Sequence, residues 1–252
     1  MSQNLQTAAL ILRTVDYGDN HVIVDLLGRD TGRLSAIAHG AQKSRKRFGG
    51  ALEPLRVVEA SLTQRRGSDL WRLDELEVIE SFTGIDERIE TITAASYATE
   101  LVRETWREGE EAQPIFELLR RFFAHLPACS TNSSIERLTH QFEFQLLRLY
   151  GLAPALEGCA RCGKTPEAMN SLRLSRRGEG LVCADCRHTG DAMGVISQPT
   201  LAVLHHLADP DCPLPDDDLH SAMAQAGRVL ANAIDQLVDR PLLSRQMLRQ
   251  LL

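Results

Sequence analysis

Four cysteines constrain this chain more than any other feature. Cys159 and Cys162 lie in LEGCARCGK, Cys183 and Cys186 in GLVCADCRH, and together they spell C-x2-C-x20-C-x2-C. A CxxC turn sets two thiolates on one side of a backbone knuckle. Two knuckles brought together complete a tetrahedron around Zn2+, with Zn–S near about 2.3 Å. The spacing therefore requires two distant segments to return to one point, and it predicts an inserted zinc-ribbon-like module over 158–190. Between the pairs, LRLSRRGEGLV alternates like a β-hairpin turning at RRGEG. Four thiolates close the metal's shell, whereas catalytic zinc keeps an open position beside three protein ligands, so the expected cofactor is one structural Zn2+. His188, two residues past Cys186, reads as an exposed loop histidine rather than a ligand.

Paired CxxC units are metal ligands rather than disulfides in a reducing compartment. The remaining cysteines, Cys129 in ACSTNSS and Cys212 in DPDCPLPDDD, have no histidine partner nearby and read as spectator thiols. The N-terminus, MSQNLQTAALILRT, lacks the basic start and cleavage site of a signal peptide, and no apolar run reaches the roughly 20 residues a membrane span needs. A cytoplasmic protein without membrane contact is expected.

The first 80 or so residues read as strands. AALILRT, HVIVDLL, RLSAIAH, PLRVVEASL and LWRLDELEVI are short runs rich in Val, Ile and Leu, separated by breaks such as DYGDN and GRDTG. In the second break, Gly32 supplies a positive φ for a hairpin. Five short strands with tight turns fit a small barrel, of which the OB-fold is a common kind, over 1–81. After Gly84 the apolar period changes to three and four. Helices are expected over DERIETITAASYATELVRETW with Asp86 as N-cap, over PIFELLRRFFAHL opening on Pro114, and over SSIERLTHQFEFQLLRLYGL. The last of these would be capped by Ser133 or Ser134 and stopped at Gly151. Beyond the cysteines, QPTLAVLHHLAD, DDDLHSAMAQAGRVLANAIDQLVDR and PLLSRQMLRQLL continue the helical pattern, with Asp216, Asp217 and Asp218 as capping residues. The fold class is thus α+β and multi-domain: a barrel, a helical domain over 82–157 and 191–252, and the inserted module.

No nucleotide-phosphate loop, H-E-x-x-H or G-x-S-x-G motif is present, and no catalytic set is assigned; a non-enzyme is expected. His205 and His206 are adjacent in a helix, so one buried and one exposed is the simple expectation. Charge is more informative. The net charge is −6, yet between Arg33 and Arg72 nine basic residues face only three acids, a local excess of six. Four of them, Lys43, Arg45, Lys46 and Arg47, crowd into the glycine-flanked HGAQKSRKRFGG. A basic loop between strands of a barrel suits a single strand's phosphates, and aromatics nearby suit its bases. Arg65, Arg66 and Arg72 flank the next hairpin, and Arg33 precedes the loop. Tyr17, Phe48 and Trp71 fit base stacking and a core role equally, while Arg173, Arg176 and Arg177 on the cysteine hairpin are further candidates for DNA.

The block ILRTVDYGDNHVIVDLLGRDTGRLSAIAHGAQKSRKRFGGALEPLRVVEASL resembles the N-terminal domain of the bacterial recombination mediator family RecO. The matching features are L-R-T-x-D-Y-G, T-G-R-L-S-A-x-A-x-G-A and S-R-x-R-F-G-G-x-L-E-P, joined by Y-G-L at Tyr150 and C-x-x-C-G at Cys159. The resemblance implies a protein of DNA repair and recombination that binds single- and double-stranded DNA and anneals complementary strands. It implies action with RecR to load RecA onto DNA coated by the single-stranded-DNA-binding protein, at the nucleoid. It carries the family's basic OB surface onto Lys43, Arg45, Lys46 and Arg47. A protein-interaction scaffold with incidental DNA contact and a zinc-dependent hydrolase are the rival readings. The acidic balance, with a pI near 5.8, argues against unusually tight DNA binding.

Overall fold

The computed structural model describes residues 3–41, 48, 50–64, 67, 70–107, 111–175, 180–189, 192–215 and 218–252. All five expected strands form: β1 (Gln3–Tyr17), β2 (His21–Gly28), β3 (Gly32–Ala38), β4 (Arg56–Gln64) and β5 (Trp71–Ser81). They close into a barrel in the order β1-β2-β3-β5-β4. All pairings are antiparallel except that of β3 with β5, which is parallel at Ala36–Trp71 and Ile37–Arg72. This is the five-stranded barrel of the OB-fold.

The alternation of the strands explains the closure. Along β3, Leu34, Ala36 and Ala38 point inward and the residues between them face outward. With Val22, Val24 and Leu26 of β2 and Val58, Ala60 and Leu62 of β4, they contribute to a core of seventeen buried apolar side chains among the described residues. The run AALILRT does not alternate, because β1 is covered on both faces. Ala9 and Ile11 join the barrel core, while Leu10 is fully buried opposite them, and two helices pack against β1. The β2–β3 hairpin turns where expected, with Gly32 at φ 76°.

The helices are α1 (Ile89–Thr105), α2 (Gln113–His125), α3 (Asn132–Leu149), α4 (Gln198–Ala208), α5 (Leu219–Ile234) and α6 (Leu243–Leu251). Their starts differ from expectation. Asp86 does not cap α1: Ile85–Glu87 form a separate 3-10 turn, and α1 begins at Ile89 after an extended Arg88. The hydroxyl of Thr91 secures that junction by donating to the carbonyls of Ile85 and Arg88 at 2.7 and 2.8 Å. Helix α3 starts one residue early, and the hydroxyl of Thr131, not Ser133 or Ser134, accepts from the Ser134 amide at 3.2 Å. Asp218 precedes α5 in a left-handed conformation without a side-chain cap, and Asp216 and Asp217 lie outside the described residues. Gly151 ends α3 as expected. At φ 67° its amide bonds Arg148 O and the Leu152 amide bonds Leu147 O, a paired closure favoured by glycine in the left-handed region.

The chain divides into two compact units, Met1–Ile135 with Leu242–Leu252, and Glu136–Pro241. Compactness thus cuts the helical pattern at Ile135/Glu136, inside α3. In the first unit, α6 is clamped at both ends. The carboxylate of Glu100 accepts from the amide (3.0 Å) and hydroxyl of Ser244 at its start, and Asn132 Nδ2 donates to Leu251 O (2.9 Å) at its finish. In the second unit, Ser197 caps α4 and α4 packs on α5. His205 and His206 are both half-buried rather than split between faces; His206 Nδ1 hydrogen-bonds Cys212 O at 2.7 Å, a backbone contact that rotation about the helix does not foresee. No helix among the described residues is long and apolar enough to cross a membrane.

Candidate metal centre and nucleic-acid interface

The two CxxC pairs meet. The four Sγ atoms of Cys159, Cys162, Cys183 and Cys186 all lie within 4.8 Å of one another, and none is in a disulfide. Cys162 Sγ and Cys183 Sγ are 3.7 Å apart, close to the about 3.8 Å edge of a tetrahedron with 2.3 Å metal–sulfur bonds. His188 is exposed and stands outside the cluster. Each knuckle is built by the backbone. Gly163 N donates to Cys159 O at 2.8 Å, Cys186 N to Cys183 O at 3.2 Å, and Cys183 N to Cys159 Sγ at 3.4 Å.

The scaffold between the pairs is a hairpin as expected, with one strand the sequence reading missed. β6 (Leu172–Ser175) is bridged to the returning segment at Leu174–Leu181, and on its other edge it pairs with β7 (Ala192–Ile196). Gly180, expected only as part of the RRGEG turn, does more than turn the chain. It has φ 111° and a parallel bridge to Ala155, so a Cβ there would overlap the Ala155 backbone. The glycines of RRGEGLVC were legible only as turn formers; the second is a point of close backbone approach.

The thiols are electrostatically unequal. Burial pushes the Cys159 thiol up, but backbone N–H groups of Cys183, Arg161 and Cys162 outweigh it and hold it at about 6. Cys186 moves the other way, pushed up to about 12 by hydrogen bonds to Cys162 and Cys183, by burial and by the charge on Cys159. Crowded thiols of this kind cannot all ionise unless a cation joins them, so the donor set fits a thiophilic metal ion. Lys164 beside Asp185, at 3.0 Å, and Arg161, donating to Cys186 O at 2.7 Å, bring positive charge to the same knuckles.

The expected DNA contacts are distributed differently. Lys43, Arg45, Lys46, Arg47, Arg65, Arg66, Arg176 and Arg177 lie outside the described residues. Both flanks of the first group are described: Ala41 is buried, and Phe48 is 2% exposed within the barrel core. Phe48 therefore anchors the basic segment and does not present a ring for stacking. Trp71 is likewise buried in the core, because β5 begins there and its side chain faces inward, which leaves Tyr17, 54% exposed, as the available ring of the three. Arg33 Nη1 donates to Arg103 O at 2.6 Å, near the C-terminal end of α1. The exposed Arg72 pairs with Asp74 at 2.6 Å, and Arg173 is half-buried on β6.

Comparison with known proteins agrees with this architecture. Residues 1–82 match the family model described as recombination protein O N terminal, and residues 86–246 the one described as recombination protein O C terminal. The chain is 37% identical over 205 residues to "DNA repair protein RecO" of Anaeromyxobacter sp. (strain K), covering 81% of this chain and 79% of that one. It is 35% identical over 244 residues to the protein of that name from Pelobacter propionicus (96% and 95% covered) and 31% identical over 251 residues to that of Syntrophotalea carbinolica (99% and 95%). An OB barrel, a helical region and a four-cysteine cluster in one chain, matched along nearly its whole length, establish that this protein belongs to the RecO family.

Proposed function

We propose that this chain is a non-catalytic, DNA-binding mediator of recombination in DNA repair. It binds single- and double-stranded DNA, anneals complementary strands, and with RecR helps load RecA onto DNA coated by the single-stranded-DNA-binding protein. The observation that carries this reading is the closed OB barrel whose core holds both flanks, Ala41 and Phe48, of the segment containing Lys43, Arg45, Lys46 and Arg47. Annealing needs two backbones neutralised and bases left free to pair, which suits cations on a barrel rather than a base-reading helix. The metal is a structural Zn2+, because four thiolates leave no open coordination position. Arg173, Arg176 and Arg177, in the sequence of the cysteine hairpin, are further contacts to DNA. Arg33 and Arg72 add charge on the barrel, and Arg65 and Arg66, between β4 and β5 in the sequence, are counted with them.

Neutralising Lys43, Arg45, Lys46 and Arg47 together tests the reading. Each lost phosphate contact lowers the slope of log affinity against log salt by about 0.7 on single strands, so the slope should flatten by up to about 3. Fluorescence titration with a labelled oligonucleotide at several salt concentrations measures it, and an unchanged slope removes the segment from the DNA site.

A further inference from the structure

The register of the barrel sets three rings in a row on its outer face. Tyr17 of β1 is the direct partner of His21 of β2. Beyond the Val22–Ala38 pair, the His21 ring meets that of His39, just past β3, with centroids 4.9 Å apart and planes at 82°. Because Val22 and Ala38 point into the core, their neighbours His21 and His39 point out. A second row runs beside the first: Val15 of β1 pairs with Ile23, and Ile23 with Ile37. Val15 is exposed, and Ile23 and Ile37 are half-buried. An outer strand face that carries aromatic and apolar rows has no core to bury them in.

His21 is the fixed member. Its Nδ1 accepts from the Gly40 amide at 3.0 Å, so its ring proton sits on Nε2 and its plane cannot turn without losing that bond. Fixed in this way, its ring braces that of His39, which is exposed. Gly40 and Ala41 then lead directly into the basic segment.

We propose that His39 stacks on a nucleobase of bound single-stranded DNA, with Tyr17 as a second platform in the same row and His21 as the positioning residue that holds His39. The inference rests on the DNA-binding reading above and adds bases to a site otherwise made of phosphate contacts. Stacking is tolerant of sequence, because every base offers a π-face. It also releases no counterions, so affinity and salt slope separate.

The test uses the full-length protein, a labelled single-stranded oligonucleotide, and the same backbone made wholly of abasic sites. His39→Ala should weaken binding to the normal strand at least about fivefold with the salt slope unchanged. His39→Phe, which keeps a ring and removes the titratable nitrogens, should restore it. On the abasic strand, His39→Ala and the unaltered protein should bind alike. His21→Leu should reproduce part of the His39→Ala loss, and His21→Asn, which keeps an acceptor for Gly40, should recover it. The proposal is overturned by normal affinity in His39→Ala, by a loss that phenylalanine does not rescue, or by an equal loss on the abasic strand. If the four-residue neutralisation also leaves binding untouched, the DNA reading itself fails; if it flattens the slope while His39→Ala is silent, only the stacking role fails.

Discussion

The barrel and the cysteine module are both small β structures, and they are held together by different means. Among the described residues, the barrel surrounds seventeen buried apolar side chains with a ladder that closes on itself. The module has a four-residue strand paired with a five-residue one, and around them, among the described residues, only a few buried apolar ones, such as Leu172, Leu174, Leu181 and Val182. So few cannot offset the ordering entropy of the segment by packing alone, and a metal held by the four clustered thiols would take over the role of a core. The loudest motif in the sequence thus marks the region least able to fold by packing, while the barrel, held by its own core, can also carry a ligand face.

The largest effect should come from the metal. Replacing Cys162 or Cys183 with serine should abolish stoichiometric metal and open the module to protease, since structural zinc supplies on the order of 10 kcal/mol to small domains. Metal analysis and limited proteolysis check this, and a barrel that frays equally would erase the contrast between the regions. The reciprocal change is Phe48→Ala. It should destabilise the barrel by about 3 kcal/mol in denaturant unfolding while metal content stays stoichiometric. Were Phe48 instead a stacking residue, the loss would fall on DNA affinity and spare stability.

Acid sharpens the same contrast. Cys186, pushed up to about 12, is protonated in the metal-free protein at neutral pH and must release its proton on binding, so affinity falls about tenfold per unit of acidification for that thiol. Cys159, held at about 6, is already ionised at pH 7 and competes for a proton only below that point, where the fall steepens. Transfer of metal to a chromophoric chelator across pH 8 to 5 follows this, and flat retention contradicts it. The smallest effect is Gly151→Ala, where open space surrounds the position but φ is 67°. It should cost about 1 kcal/mol in the unit spanning Glu136–Pro241.

Sequence pattern made the strands and the metal ligands legible for the same reason: both are set by spacing. Alternation revealed β2 and β3, and the unbroken AALIL of β1 registered burial on two faces without saying what lay on the second. The aromatics were not legible, since Phe48 at the edge of a basic loop has the composition of a stacking ring whether it points in or out. His21 and His39 were missed because their value lies in register: eighteen positions apart in the chain, they become neighbours only when β2 and β3 pair. The strand β7 escaped because AMGVI carries a glycine and no hairpin signal. The start of α1 shifted because the Thr91 hydroxyl, rather than Asp86, made the local bonds, and that of α3 because Thr131 took the capping position while the Ser134 hydroxyl turned back to the Thr131 carbonyl.

The clamp on α6 bears on the order in which the protein is made. The helix that completes the barrel's unit comes from Leu242–Leu252, after the whole of Glu136–Pro241 has been synthesised. At roughly 5–20 residues per second a ribosome spends roughly ten seconds on that interval. During it, Glu100 and Asn132 lack the partners they find in Ser244 and Leu251. Newly made α1 is therefore left with an uncovered flank that later chain must seal, so a ribosome stalled in this stretch would leave a half-finished unit exposed to chaperones and proteases.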